Sequence, residues 1–448
     1  MNEQQLRLRF GFISTMSWNP WGGSEELWAE TAFEALNAGH EVFVSVLGWT
    51  KTPPKLVELE RRGAKILRRH NPDCRVQGTL FGPASSYRDL FKMNPDVIVI
   101  SQGSSFDVFS QPDLLELLYV APIPFVLVCQ CNENLPLLTD DCRRDHVSNI
   151  FARASRVLFV SNQNRVHAER QLARKIPNSD LVLNPVNLSD RSYLPWPESK
   201  TARFASVARL DAKPKGQDIL IEMLSADEWK ERDWHLTLYG SGRDERYLRS
   251  LVEFFGLQER ITFAGHQTDV RAIWAQEQVL VMFSRAEGTP LALVEAMLCG
   301  RPAIVSDVGG NQEWVTEMQS GFVAEAAVVG LAQAALERAW SARQSWKAMG
   351  MQAHKFATGR ISDPSIPGLL KVLLQAWRQK RLAGTSSEET ERLEHYRKLM
   401  EPTIGRQAKR VAEAGVFRLK SALGRWRAAR AASWKRRLLR LAEPIEPH

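Results

Sequence analysis

Apolar residues fall along this chain in short blocks, each followed by turn residues and a helical stretch. Residues 8–13, 42–47, 97–100, 125–128 and 157–160 are runs of four to six, rich in Val, Ile, Leu and Phe. They lack the strict alternation of a strand with one wet face, and so predict parallel strands buried on both sides. Between them, residues 25–38 carry apolar positions at helical spacing. From Leu183, Asn184 and Pro185 to Pro195, Trp196 and Pro197 the pattern lapses, which predicts a hinge loop. It then restarts with strands at 204–207, 236–239, 261–263, 279–283 and 303–305.

Two successive series of this kind predict an α/β protein of two doubly wound, Rossmann-like domains. The site is expected in the cleft at the carboxyl ends of the strands. The expected divisions are 1–190, 191–362, a return helix within 363–384, and a helical, basic tail over 385–448. In that tail Ser386 and Glu389 read as a capping box.

Composition narrows the class. With 448 residues, 44% hydrophobic and 25% charged, the chain is long enough for two or three packed domains. No apolar run reaches the length of a membrane span, and the polar start, Met1 to Gln5, does not read as a secretory signal. Five Cys suit reduced thiols in the cytoplasm. The net charge of +8 is unevenly placed. Residues 406–440 hold twelve Lys or Arg against Glu413, and 441–448 hold two acids, which leaves −1 for everything before 406. A neutral body does not suit a nucleic-acid binder, so no nucleic-acid partner is expected.

The densest chemistry lies between Glu287 and Glu313. Glu287, Gly288, Thr289 and Pro290 form a turn that opens a helix at Leu291, and Cys299-Gly300 ends it. Free N–H groups at such a helix start attract phosphate or sugar oxygens. Taken alone, Glu287 and Glu295 could simply complement the helix dipole and face water. Upstream, Arg209 and Lys215 flank the end of a predicted strand, where two cations can stabilise a departing diphosphate. Leu238 to Gly242 and Phe263 to His266 are strand ends with glycine turns, at Gly240 and Gly265. Trp21-Gly22-Gly23-Ser24-Glu25 follows the first strand, with Ser24 as the expected helix N-cap and Trp18 and Trp21 open to packing or sugar stacking.

The Glu-x7-Glu spacing with its Gly-Thr-Pro, Glu-Ala-Met and Gly-x-Pro flanks resembles the retaining GT-B glycosyltransferases of glycosyltransferase family 4, over about residues 8–383. The resemblance implies a metal-independent transfer from a UDP-, GDP- or ADP-linked sugar, without a cofactor, onto a glycan or lipid-linked acceptor in surface polysaccharide or glycolipid assembly. No Asp-x-Asp metal motif occurs. By resemblance, Arg209 and Lys215 face the diphosphate, Glu287 the donor sugar and Glu295 the ribose. Gly22, Gly23, Gly240, His266, Gly288, Thr289, Pro290 and Leu291 would complete the donor site, His266 through its backbone.

Where many members of that family carry a cleft histidine, this chain has Gln130, which cannot carry a proton. With Glu25 and Asn132 it is assigned to the acceptor side. Loops near 70–90 and 130–145 are expected to choose the acceptor. Cys129, Cys131, Cys142 and His146 lack the usual zinc spacing and read as free side chains. Two rival readings are a GT-B nucleotide-sugar epimerase and a non-catalytic glycan- or nucleotide-binding scaffold.

In the tail, Val416, Leu419, Leu423, Trp426, Trp434, Leu438 and Leu441 share a helical face ringed by arginines. That pattern suits an anionic membrane surface, docking on protein, or an anionic polymer. A peripheral place on the inner face of the plasma membrane is the expectation.

Overall fold

The computed structural model describes residues 6–71, 85–132, 138–383 and 387–400. Its larger compact unit, residues 1–393, contains two all-parallel sheets. The first holds β1 Arg9–Ser14, β2 Glu41–Leu47, β3 Lys65–Arg69, β4 Val97–Gln102, β5 Phe125–Cys129, β6 Arg156–Phe159 and β7 Ser179–Leu181, in the order β3-β2-β1-β4-β5-β6-β7. The second holds β8 Ala202–Val207, β9 Trp234–Tyr239, β10 Ile261–Gly265, β11 Val279–Met282, β12 Ala303–Ser306 and β13 Gly321–Ala324, in the order β10-β9-β8-β11-β12-β13.

Central strands such as β4 and β5 are buried at every position, which accounts for their unbroken apolar runs. The edge strands depart from that pattern, and β10 is buried only at Ile261. β3 is Lys-Ile-Leu-Arg-Arg on a sheet edge, β7 has three residues, and β13 starts on a glycine.

Each sheet reverses its strand order once, between β1 and β4 in the first and between β8 and β11 in the second. Loops leaving adjacent strands at such a point run to opposite faces and leave a crevice, where ligands of open α/β sheets bind. The segment 182–201 carries no regular structure beyond turns and joins the two sheets. Helix Leu369–Ala383 then returns to the first domain, where Leu369, Val372, Leu373 and Ala376 join the core of β1, β2 and helix Gly23–Asn37. The loop 72–84, residues 133–137, Ser386 of the expected capping box and the basic stretch 406–441 lie outside the described residues.

Candidate active site

Loops of both domains converge on the segment between β11 and helix Leu291–Leu298, from after β8 in the second and from after β5 and β6 in the first. Lys215 follows β8 and sends its Nζ to Glu287 Oε1 at 2.8 Å. The hydroxyl of Ser284 donates to the same oxygen at 2.7 Å. Both side chains are largely enclosed, Lys215 at 19% and Glu287 at 7% exposure. The loop beneath them is fixed by main-chain bonds: Pro214 O accepts from Arg285 N at 2.8 Å, while Arg285 forms a two-pronged pair with Asp218. Arg209, in contrast, is about half exposed and lies 3.8 Å from Asp211. Its Nη1 also meets the side-chain oxygen of Asn19, from the loop after β1.

Glycine at 288 is a steric requirement, because a Cβ there would collide with the carbonyl of Gln130. Gly309 likewise holds φ +54° against the carbonyl of Glu287. Thr289 donates to Val160 O at 2.9 Å, and Pro290 forms the N-cap of helix 291–298. Leu291 packs on Gly23, so the starts of helices 23–37 and 291–298 face each other across the cleft. Gly240 lies too close to Ala208 O for any side chain, and His266 is exposed at the end of β10.

Glu295 is buried and pushed up to about 8, first by desolvation and then by the charge of Glu26. Glu26 itself accepts from Trp21 Nε1 at 2.7 Å and pairs with Lys55.

The residues assigned to the acceptor side prove to be supports rather than open cleft walls. Gln130 is 4% exposed; its Nε2 donates to Ser24 O at 3.2 Å and its Oε1 accepts from Asn184 Nδ2 at 2.8 Å. Asn132 is buried and donates to Asn164 O. Glu25 points into its own domain, where Trp28 Nε1 donates to it at 2.7 Å. The N-cap expected at Ser24 is instead Gly22, in extended conformation, and Ser24 turns its hydroxyl toward Glu25. Of the two tryptophans, Trp21 packs against Trp28, while Trp18 is exposed. Cys129 is buried, Cys131 meets Glu287 O at 3.5 Å, Cys142 is exposed and His146 rests on Tyr119. Among the described residues no group of three or more His, Cys, Asp or Glu is gathered to hold a metal ion.

Burial raises Glu25 to about 7, against hydrogen bonds from Trp28, Ser14 and Ser24 and the charge of buried Arg69. Between an ordinary carboxyl value and 7 the folded chain holds a proton that the unfolded chain releases. Stability therefore falls as pH rises through that window, by about 3 kcal/mol at the upper end. Glu25→Gln keeps an acceptor for Trp28 and removes this slope. Urea midpoints should thus favour the variant at pH 8 and converge with wild type near pH 4.5. Equal midpoint differences at the two pH values would count against the assignment.

Sequence reasoning missed Asn164. It is fully buried, donates from Nδ2 to Glu287 O at 3.3 Å, and donates its main-chain N–H to the capping Ser161 Oγ. Ser161-Asn162-Gln163-Asn164 reads as an ordinary helix start, and nothing local marks its contact with a loop more than a hundred residues away.

Comparisons with known proteins agree with this geometry. Residues 201–339 match the glycosyl transferases group 1 family. An uncharacterised glycosyltransferase of Haemophilus influenzae is 29% identical over 152 residues, 34% of this chain and 42% of its own length. The lipopolysaccharide 1,6-galactosyltransferase of Salmonella typhimurium is 30% identical over 145 residues, 31% of this chain and 40% of its own. The chain thus spans less than half the length of these relatives. Anabaena HepE, solved with UDP-glucose, superposes with a TM-score of 0.61 at 17% identity, over 84% of this chain and all of its own. The chain has the GT-B fold, and its residues 201–339 match the glycosyl transferases group 1 family.

Proposed function

We propose that the chain is a retaining, metal-independent glycosyltransferase that moves a sugar from a nucleotide-sugar donor to a glycan or lipid-linked acceptor. The observation that carries this reading is the enclosed Lys215–Glu287 pair at the β8/β11 reversal point, beside a helix start whose Leu291 packs on Gly23 of the other domain. In the proposed reaction the bond between the anomeric carbon and the leaving phosphate oxygen breaks. The acceptor hydroxyl bonds to that carbon on the same face, and its proton passes to the leaving phosphate.

Arg209 and Lys215 supply the cations that stabilise the growing diphosphate charge. Glu287 takes the donor sugar's hydroxyls and Glu295 the ribose hydroxyls. The free N–H groups at the start of helix 291–298 add donors for anionic oxygen. Main-chain groups at Gly240 and His266 meet the base. The pair does not suit a glycosidase mechanism, because Glu287 is already engaged by a lysine rather than poised as an acid or nucleophile. The polysaccharide and lipopolysaccharide enzymes among its relatives support a surface-polymer or glycolipid setting. The UDP-glucose complex of the structural neighbour supports a nucleotide-sugar donor.

The test is nucleoside diphosphate release across UDP-, GDP- and ADP-sugars, with and without chelator. One donor should turn over, chelator should leave the rate unchanged, and Arg209→Ala and Glu287→Gln should each slow it by at least about tenfold. Sugar interconversion without diphosphate release would favour an epimerase, and binding without turnover even with acceptors present would favour a scaffold.

Residues 406–441 fit the same reading as a contact to anionic membrane near a lipid-linked acceptor. Among the described residues no helix is long and apolar enough to cross a membrane. The full chain should co-float with phosphatidylglycerol vesicles at low salt and release at high salt, whereas a chain ending at residue 400 should stay in solution. Equal flotation of both would remove the tail from this role.

A further inference from the structure

Glu287 is held from two sides. Its carboxylate is fixed from its own domain by Lys215 at 2.8 Å and Ser284 at 2.7 Å. Its main chain is fixed from the other domain. Asn164 Nδ2 reaches Glu287 O at 3.3 Å, and two residues on, Thr289 Oγ1 reaches Val160 O at 2.9 Å. Between them Gly288 lies flat against Gln130 O and the Val160 side chain.

The turn after β6 also grips the neighbouring segment of the second domain. Gln163 donates from its main chain to Glu313 Oε1 at 3.0 Å and from Nε2 to Asp307 Oδ1 at 2.9 Å. Residues 160–164 therefore clasp the whole rim that presents Glu287.

We infer that Asn164 is a positioning residue that couples closure of the two domains to the placement of Glu287. When the domains part, the Glu287 carbonyl loses its amide donor and Thr289 loses its acceptor. The loop then keeps only its anchors within the second domain, Lys215, Ser284 and the Pro214–Arg285 bond. When they close, the side-chain and main-chain anchors act together, and the carboxylate is fixed in the plane set by both domains. The buried Oδ1 of Asn164 accepts no hydrogen bond from a protein group. An orphan acceptor of this kind is disfavoured unless something else requires the residue there.

Arg209, Lys215 and Glu295, which take the diphosphate and the ribose in the proposed reaction, all belong to the second domain, so most of the donor's charged contacts do not need the clasp. Chemistry does, because a displacement of about 1 Å at the reacting geometry costs on the order of 10²-fold in rate. The inference rests on the glycosyltransferase reading and adds a residue from the opposite domain to it.

The experiment uses the full chain and three variants: Asn164→Ala, the isosteric Asn164→Asp and the isosteric Thr289→Val. Each should lose at least tenfold in kcat, and in the two Asn164 variants the Kd for the donor should stay within twofold of wild type. Asn164→Ala with Thr289→Val should cost less than the product of the two single losses, because both act on one clasp. Hydrogen–deuterium exchange is read in parallel on the peptide covering 284–290, which should exchange faster in every variant. A kcat near wild type, a donor Kd that rises in step with the loss of rate in the Asn164 variants, or unchanged exchange in that peptide would overturn the inference. If wild type releases no diphosphate from any donor, the proposed function is what fails, and the exchange data still decide whether the clasp exists.

Discussion

Lys215→Ala is expected to lower nucleoside diphosphate release by about 10²–10³-fold, the loss usual when one stabilising charge is taken from a developing anion. The lysine is enclosed and its stem is held under the Pro214–Arg285 main-chain bond, so its charge is already placed before donor arrives. Little reorganisation is then needed as the phosphate oxygen gains charge. The same substitution leaves Glu287 buried with Ser284 as its remaining side-chain donor, and removing one partner of an enclosed ion pair destabilises the fold. With Lys215 still partly exposed, about 1–2 kcal/mol is expected rather than the full buried-pair cost.

The double variant Lys215→Ala/Glu287→Gln separates the two effects. Its thermal midpoint should return toward wild type, because no unpaired carboxylate remains, while turnover stays lost. A Lys215→Ala enzyme within threefold of wild type in turnover would remove the lysine from the chemistry. Arg209→Ala should cost less, since that guanidinium is about half exposed and shares its charge with Asp211 and Asn19.

The buried central strands were readable because burial on both faces leaves an unbroken apolar run, as in Val97 to Ile100. β3 was not readable, since an edge strand can carry Lys65, Arg68 and Arg69, and Arg69 is then buried by bonds to Ser45 and Ser14 O rather than by apolar contact. Lys215 and Glu287 were proposed through the resemblance of their motifs to a family, since either charge taken alone reads as a solvated side chain. The supports were not legible as such. Gln130 and Asn164 act through amides that reach 106 and 123 residues along the chain; the folded first domain brings Gln130 to Ser24, and only the packing of one domain on the other brings Asn164 to Glu287. Ser24 was misread as a cap for a related reason. Gly22 can lie extended where the helix starts, which leaves the serine hydroxyl free for Glu25.

Arg301 carries the largest stability effect expected in the second domain. Its side chain is wholly buried, and burial pulls its pKa down to about 10, so it remains charged at neutral pH. Carbonyl oxygens surround it. Nε donates to Trp274 O at 2.9 Å and Glu277 O at 3.0 Å, Nη1 to Cys299 O at 2.9 Å, and Nη2 to Trp274 O at 2.6 Å and Pro195 O at 2.7 Å. Trp274 and Glu277 close helix Val270–Gln276, while Cys299 closes helix Leu291–Leu298. One guanidinium therefore caps the negative ends of two helices and ties the interdomain segment to both. Arg301→Met removes every donor and leaves those carbonyls buried without partners, so the expected cost is about 3–5 kcal/mol. At this chain size that corresponds to a fall of roughly 4 °C in the thermal midpoint. Arg301→Lys restores the charge but offers three donors on a flexible stem in place of a planar fork, so it should recover less than half of the loss. The cap also holds the helix that presents Glu295, and donor affinity should fall with stability in both variants. A midpoint for Arg301→Met within 2 °C of wild type would show that the carbonyls find other donors and that the two helices are held in place without the arginine.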